Sequence, residues 1–240
     1  MTDAPRYAIY FAAAQGSTLD RFGAQLLGYD AFTGKELPFP HGMVRTVPDW
    51  REITHDPRKY GFHATLKPPM VLAESKTEAG LLAACESFAR TPRSIPAITP
   101  IVNEIGDFIA VVPSQRSLEL EQLAADTVSA FDGFRAPLAT ADRARRQPER
   151  LTPAQRDHLD RWGYPYVMEE YRFHMTLTGR LPAARREVVL AELRRRFAEL
   201  HLAELAIDSI ALFRQQDAKS RFRIVQRYGL MPKASFELFP

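Results

Sequence analysis

Two seven-residue phrases, Tyr60-Gly61-Phe62-His63-Ala64-Thr65-Leu66 and Tyr171-Arg172-Phe173-His174-Met175-Thr176-Leu177, share the pattern Tyr-x-Phe-His-x-Thr-Leu at a separation of 111 residues. Histidine is the side chain that exchanges a proton near neutral pH, and a threonine hydroxyl can donate a hydrogen bond to an oxyanion. Acid–base chemistry on a substrate needs a base to take a proton, an acid to give one, and donors around any oxygen that gathers negative charge. Two copies of a His-x-Thr pair supply all three. A single copy would read as a satisfied sheet histidine beside a good β-former. The recurrence of the same polar pair at the same spacing points to function instead.

Strand periodicity turns the motif into geometry, because side chains two apart share a face. Tyr60, Phe62, Ala64 and Leu66 form an apolar face, as do Tyr171, Phe173, Met175 and Leu177. The opposite face carries Gly61, His63, Thr65 and Lys67 from one strand, and Arg172, His174, Thr176, Thr178 and Arg180 from the other. The expected catalytic residues are His63, Thr65, His174 and Thr176. Lys67 and Arg172 are candidates to neutralise a small anion, with Arg180 farther out. Tyr7, Tyr10 and Trp162 could wall a sugar or base, although core packing suits each as well. Arg143, Arg145, Arg146 and Arg150 form a basic cluster that reads as a solvated segment or an anion-steering patch. A strand with threonine two after histidine is poor zinc chemistry, so neither a metal nor a cofactor is expected.

The elements that must hold these strands follow from apolar spacing. A strand is expected at Arg6 to Ala13 and a helix at Thr18 to Leu27. Residues 33 to 57, with four prolines, read as a long irregular excursion. A strand at Tyr60 to Lys67 is expected to stop at Pro68-Pro69. A helix follows at Ser75 to Ala89, then strands at Ile98 to Ile105 and Phe108 to Val112 joined at Gly106-Asp107, and a helix at Ser117 to Phe131. A second excursion, 132 to 165, holds a short helix opened by Thr152 and Pro153. A strand at Tyr171 to Arg180, a helix at Ala183 to Leu200 and strands near Leu205 to Phe213 and Phe222 to Tyr228 complete the order.

The chain has 240 residues, 45% of them hydrophobic and 25% charged, which excludes disorder and fibrous repeats. A formal net charge of +3 is too small for a protein that coats nucleic acid and leaves small anions as partners. The lone cysteine, Cys85, sits in a helix-like apolar run and reads as a packed thiol. The apolar N-terminal run lacks the charge pattern of a signal peptide, and no stretch approaches a membrane span, so a cytoplasmic location is expected.

The paired motifs resemble those of the 2H phosphoesterase superfamily, named for two His-x-Thr/Ser motifs on paired strands. Arg58-Lys59-Tyr60-Gly61-Phe62-His63, Phe131-Asp132-Gly133-Phe134-Arg135-Ala136-Pro137-Leu138 and Arg161-Trp162-Gly163-Tyr164-Pro165-Tyr166 look like the branch encoded beside carbon–phosphorus lyase genes and assigned to phosphonate metabolism. The resemblance covers nearly the whole chain. It implies an α+β, bilobed, duplicated fold: two antiparallel sheets with outer helices facing a central cleft that carries both His-x-Thr strands. A single domain over 1–240 is expected, made of pseudo-symmetric lobes at about 1–105 and 106–240. It also implies a metal-independent cyclic phosphodiesterase, and adds Arg135 as a substrate-binding candidate. The substrate expected is a small anionic cyclic phosphate, with a ribosyl 1,2-cyclic phosphate from phosphonate breakdown first. An RNA-end 2′,3′-cyclic phosphodiesterase or ligase-like enzyme is the less favoured alternative. A non-catalytic binding protein for a nucleotide or phosphosugar is the third reading. No membrane and no obligate protein partner are expected.

Overall fold

Nine strand segments, two of them carrying the repeated motif, organise the computed structural model, which describes residues 4–234. Arg6–Phe11 (β1) is followed by a helix at Thr18–Leu27 (α1), which Ser17 caps by accepting from the Asp20 amide. Three short helices, Met43–Thr46 (α2), Trp50–Ile53 (α3) and His55–Arg58 (α4), lead to Ala64–Val71 (β2). Then come Glu78–Arg90 (α5), Ala97–Ile98 (β3), Pro100–Ile105 (β4), Phe108–Pro113 (β5) and Leu118–Phe131 (α6). The chain continues through Thr140–Arg145 (α7), Pro153–Trp162 (α8), Met175–Thr176 (β6), Ala183–Ala198 (α9), Leu205–Ala206 (β7), Ser209–Gln215 (β8) and Arg223–Gly229 (β9).

Seven of these strands form one antiparallel sheet in the order β4-β5-β6-β2-β1-β8-β9, and β3 pairs with β7 in a small second sheet. One face of the large sheet is covered by α1, α5, α6 and α9. Leu26, Leu81, Leu123 and Leu193 from those helices share a core with Ile9, Leu66, Val111, Met175 and Leu212 from the strands. The other face carries a smaller cluster, in which Ala8, Tyr10, Ala211 and Phe213 pack against Tyr29, Ala31 and Phe222. The Tyr29 hydroxyl donates to the Phe222 carbonyl at 2.8 Å and ties that cover in place.

The α+β class, antiparallel pairing and outer helices match the expectation. The strands are partitioned differently: the two motif strands lie side by side in the middle of one sheet, rather than on two sheets across a cleft. Their shared ladder is a single pair, Ala64 opposite Met175. A boundary at residue 105 would fall at the turn of the β4–β5 hairpin, where Ile105 pairs with Phe108. Strand β8 pairs with β1, so β1, β2, β8 and β9 form one half of the sheet and β4, β5 and β6 the other.

Pro68-Pro69 does not end the first motif strand. Tyr7 pairs with Met70 and Ile9 with Lys67, so a bulge opposite Ala8 absorbs both prolines, which have no N–H to offer a regular ladder. The second motif strand is shorter than its apolar pattern predicts: Met175 and Thr176 pair with β5, and only Met175 also pairs with β2. The first excursion is more ordered than its prolines suggest. Met43, Val47 and Trp50 recur at helical spacing and are buried, and the Trp50 indole donates to the Leu26 carbonyl at 2.8 Å. The helix opened by Thr152 and Pro153 is present, with a capping box between Thr152 and Gln155.

No helix among the described residues is long and apolar enough to cross a membrane.

Candidate active site

The pairing of Ala64 with Met175 fixes the site. Both point into the helix-covered core, so their neighbours His63, Thr65, His174 and Thr176 turn to the other face. Continued by one residue each way, the antiparallel register sets His63 across from Thr176 and Thr65 across from His174. All four are half-buried. The Thr65 hydroxyl lies 3.4 Å from Nε2 of His63.

Both imidazoles are anchored alike. Nδ1 of His63 lies 2.9 Å from the Gly61 carbonyl, and Nδ1 of His174 lies 2.8 Å from the Arg172 carbonyl. A carbonyl can only accept, so the proton of each neutral ring sits on Nδ1 and the free lone pair on Nε2. Gly61 makes its anchor possible by a left-handed turn at φ 76°, with a site so close to Ala31 that a Cβ would stand 2.7 Å from that methyl. The neighbouring Phe62 ring occupies the space where Gly23 of α1 has no side chain, since a Cβ there would fall 2.0 Å from the ring.

Burial, with a smaller contribution from charge on His174, brings the His63 imidazole down to about 4 against the opposing pull of the Gly61 carbonyl. His174 is lowered as well, by burial first, with the Arg172 carbonyl opposing. Tyr10 stacks on His63, ring centroids 3.8 Å apart and planes at 21°. A π-face would favour an imidazolium by up to about 2 kcal/mol. The loss of hydration implied by a midpoint near 4 is worth about 3 kcal/mol, so burial wins. Tyr60 lies 6.2 Å from His63 and stacks on Phe222. The phenols of Tyr60 and Tyr164 both act on that of Tyr10, whose own hydroxyl burial holds well above the usual range. Tyr10 and Tyr60 are the neighbours that motif reading alone does not pair with His63; strand pairing and chain course bring them there.

The remaining candidates are placed as follows. Lys67 is 1% exposed and on the helix side, where its ammonium donates to the Val128 carbonyl at 3.2 Å and pairs with Asp132 at 3.0 Å. Its expected position on the histidine face is corrected by a second β2 bulge: Ile9 pairs with Lys67 but Tyr10 with Thr65, which reverses the alternation after Leu66. Thr178 is inverted in the same way. The amides of Leu177 and Thr178 both reach the Ile109 carbonyl, and the Thr178 hydroxyl accepts from the Ile109 amide. Arg135 is held by Asp132 and the Arg161 carbonyl. Tyr7 lies on the helix side with its hydroxyl donating to Glu78 at 2.7 Å. Arg180 is 88% exposed beside Asp107. Arg172 is exposed and lines a hollow of about 520 Å³ with Ile105, Val112, Ser114, Arg116 and Tyr171. In the basic cluster Arg143 pairs with Asp160, Arg145 pairs with Asp142, and Arg146 lies 4.9 Å over the Tyr164 ring. The structure thus gathers His63, Thr65, His174 and Thr176, leaves Arg172 at their edge and sets Lys67, Arg135, Arg180 and Tyr7 apart.

Two curated relatives carry the name ribose 1,5-bisphosphate phosphokinase PhnN. The one from Janthinobacterium sp. (strain Marseille) is 36% identical over 220 residues, covering 88% of this chain and 48% of that protein. The one from Laribacter hongkongensis (strain HLHK9) is 30% identical over 234 residues, covering 96% and 53%. The chain thus spans about half the length of the curated relatives it matches. Among solved structures, E. coli LigT complexed with NADP+ aligns with a TM-score of 0.45 at 12% identity, over 96% of this chain and 99% of that one. A structure described as a phosphoesterase aligns at 0.41 and 14%, over 95% and 99%. The profile of the family described as "Protein of unknown function (DUF1045)" matches residues 65–223, a span that takes in Thr65, His174 and Thr176, and the chain belongs to that family.

Proposed function

We propose that the protein is a metal-independent cyclic phosphodiesterase that opens a small sugar or nucleotide cyclic phosphate by two-histidine acid–base catalysis. The observation that carries this reading is the register of Ala64 against Met175, which sets two anchored imidazoles and two threonine hydroxyls on one face. Each imidazole offers Nε2 to that face. One takes a proton from water while the other gives a proton to the leaving oxygen, and Thr65 and Thr176 donate to the non-bridging oxygens. A binding protein would have no use for two proton-transfer groups, and the pattern is that of the 2H phosphoesterases.

The first substrate is a ribosyl 1,2-cyclic phosphate carrying a 5-phosphate. Breaking its P–O2 bond yields ribose 1,5-bisphosphate, the compound in the name of both curated relatives. In that reading the chain supplies what such a kinase consumes, and those longer proteins join the two activities. A kinase activity for this chain itself is less well supported: its one Gly-Lys pair, Gly34-Lys35, is followed by Glu36 rather than the Ser or Thr of a phosphate-binding loop.

The test is phosphorus NMR of purified protein in chelator with three substrates: ribosyl 1,2-cyclic phosphate 5-phosphate, a 2′,3′-cyclic nucleotide, and a short RNA ending in a cyclic phosphate. Ring opening of the first, faster than of the other two, is expected. Turnover only with added metal, or of none of the three, overturns the proposal, and preference for the RNA replaces the substrate.

A further inference from the structure

The two motifs are copies, but their surroundings are not. Tyr10 on β1 stands opposite Thr65, and Ala110 on β5 stands opposite Thr176. These are equivalent places in the two halves of the sheet, so a phenol ring in one half corresponds to a methyl group in the other. The ring is immobilised, 1% exposed and packed on Phe213 at 4.8 Å and Phe222 at 6.4 Å. It lies flat on His63, whereas His174 meets a tilted Phe108 ring at 5.6 Å. The groups facing His63 are Tyr10 from β1, Phe213 from β8, Tyr60, Thr65 from β2 and His174. Of these only His174 is a group that can carry a positive charge.

We propose that Tyr10 is a positioning residue that breaks the symmetry of the pair, committing His63 to the base role and His174 to the acid role. This rests on the two-histidine reading above and deepens it by assigning the roles. Tyr10 covers one flat side of the His63 ring and denies it water, so the ring stays neutral with Nε2 free. A phosphodiester anion in the site favours one imidazolium, and the proton goes to His174. In the forward step Nε2 of His63 takes a proton from water as the oxygen attacks phosphorus. The P–O bond to the leaving oxygen breaks, and that oxygen takes the Nε2 proton of His174. Solvent exchange then restores both rings.

The experiment is a histidine NMR titration of the wild-type protein, Tyr10→Phe and Tyr10→Leu, read without any substrate. In the wild type His63 is expected to titrate below His174. Tyr10→Phe keeps the ring and should leave both midpoints in place, whereas Tyr10→Leu should raise the His63 midpoint by about one unit and leave that of His174 unchanged. The acid limb of kcat/KM should move up by the same amount in Tyr10→Leu, with KM nearly constant. Equal wild-type midpoints, the reverse order, or a His63 midpoint unmoved by Tyr10→Leu overturn the assignment. Should Tyr10→Leu not fold, the wild-type order decides alone. Because the titration needs no turnover, it fails independently of the phosphodiesterase reading, which fails instead if His63→Ala keeps full activity.

Discussion

Lys67 and Thr178 occupy the same place in the two motif copies, four residues after the histidine, and both are buried beyond a bulge that turns them from the histidine face. In one half that place holds a charge. Burial lowers the Lys67 ammonium, while its bond to Asp132 partly restores it. Burial works to raise Asp132, but bonds from Arg135 and Lys67 outweigh it and hold the carboxyl low.

Removing the carboxylate strands the ammonium. Asp132→Ala should cost about 3 kcal/mol in urea unfolding, and Lys67→Met, which removes the buried charge itself, should cost clearly less. Equal costs for the two variants would show that the pair is not the reason Lys67 is tolerated inside.

His63→Ala and His174→Ala should each lower kcat by about 10² to 10⁴, and the double variant should lose little more, because the two groups act in one step. Multiplicative losses in the double variant would show that the rings act separately.

The His63 midpoint of about 4 makes stability depend on pH. The unfolded chain takes up a proton on this ring below about 6.5, and the folded chain only near 4. The contribution is full above pH 6.5 and is lost as pH falls toward 4, by up to about 3 kcal/mol. Urea midpoints at pH 7 and pH 4.5 measure it, and His63→Gln should flatten the difference. A slope unchanged in that variant would place the dependence elsewhere.

Cys85 is fully buried, and burial pushes its thiol up to about 12. The native protein should not react with a disulfide reagent over minutes, and one equivalent should react in denaturant. Rapid native labelling would contradict the packing of α5 against the sheet.

Gly61→Ala should cost about 1 to 2 kcal/mol, because the left-handed turn and the nearby Ala31 methyl both oppose a Cβ. It should also lower kcat, since the Gly61 carbonyl anchors His63. Loss of stability with unchanged kcat would mean that the ring needs no such anchor.

What could be read in advance was local. Helix α1 at Thr18–Leu27, the start of α6 after Ser117 and the cap at Thr152 depend on neighbours three or four residues away, and they stand where spacing predicts. The His-x-Thr face could be read because alternation holds for the five residues that matter. Alternation then breaks at Leu66 and Leu177, through bulges set by the partner strands β1 and β5, and that took Lys67 and Thr178 off the expected face. The side-by-side placement of β2 and β6 and the stacking of Tyr10 on His63 arise from pairings across more than fifty residues, which no window of sequence contains.

The pairing of β1 with β8 has a consequence for how the molecule is made. Residues 6–11 are made long before residues 209–215, with which they complete their ladder, so this half of the sheet closes only after some two hundred further residues have been added. Until Phe213 and Phe222 arrive, Tyr10 lacks the two aromatic rings that back it on the side away from His63. The support of Tyr10 is thus completed late in synthesis, and a nascent chain stopped before residue 209 would hold both histidines with Tyr10 unbacked by either ring.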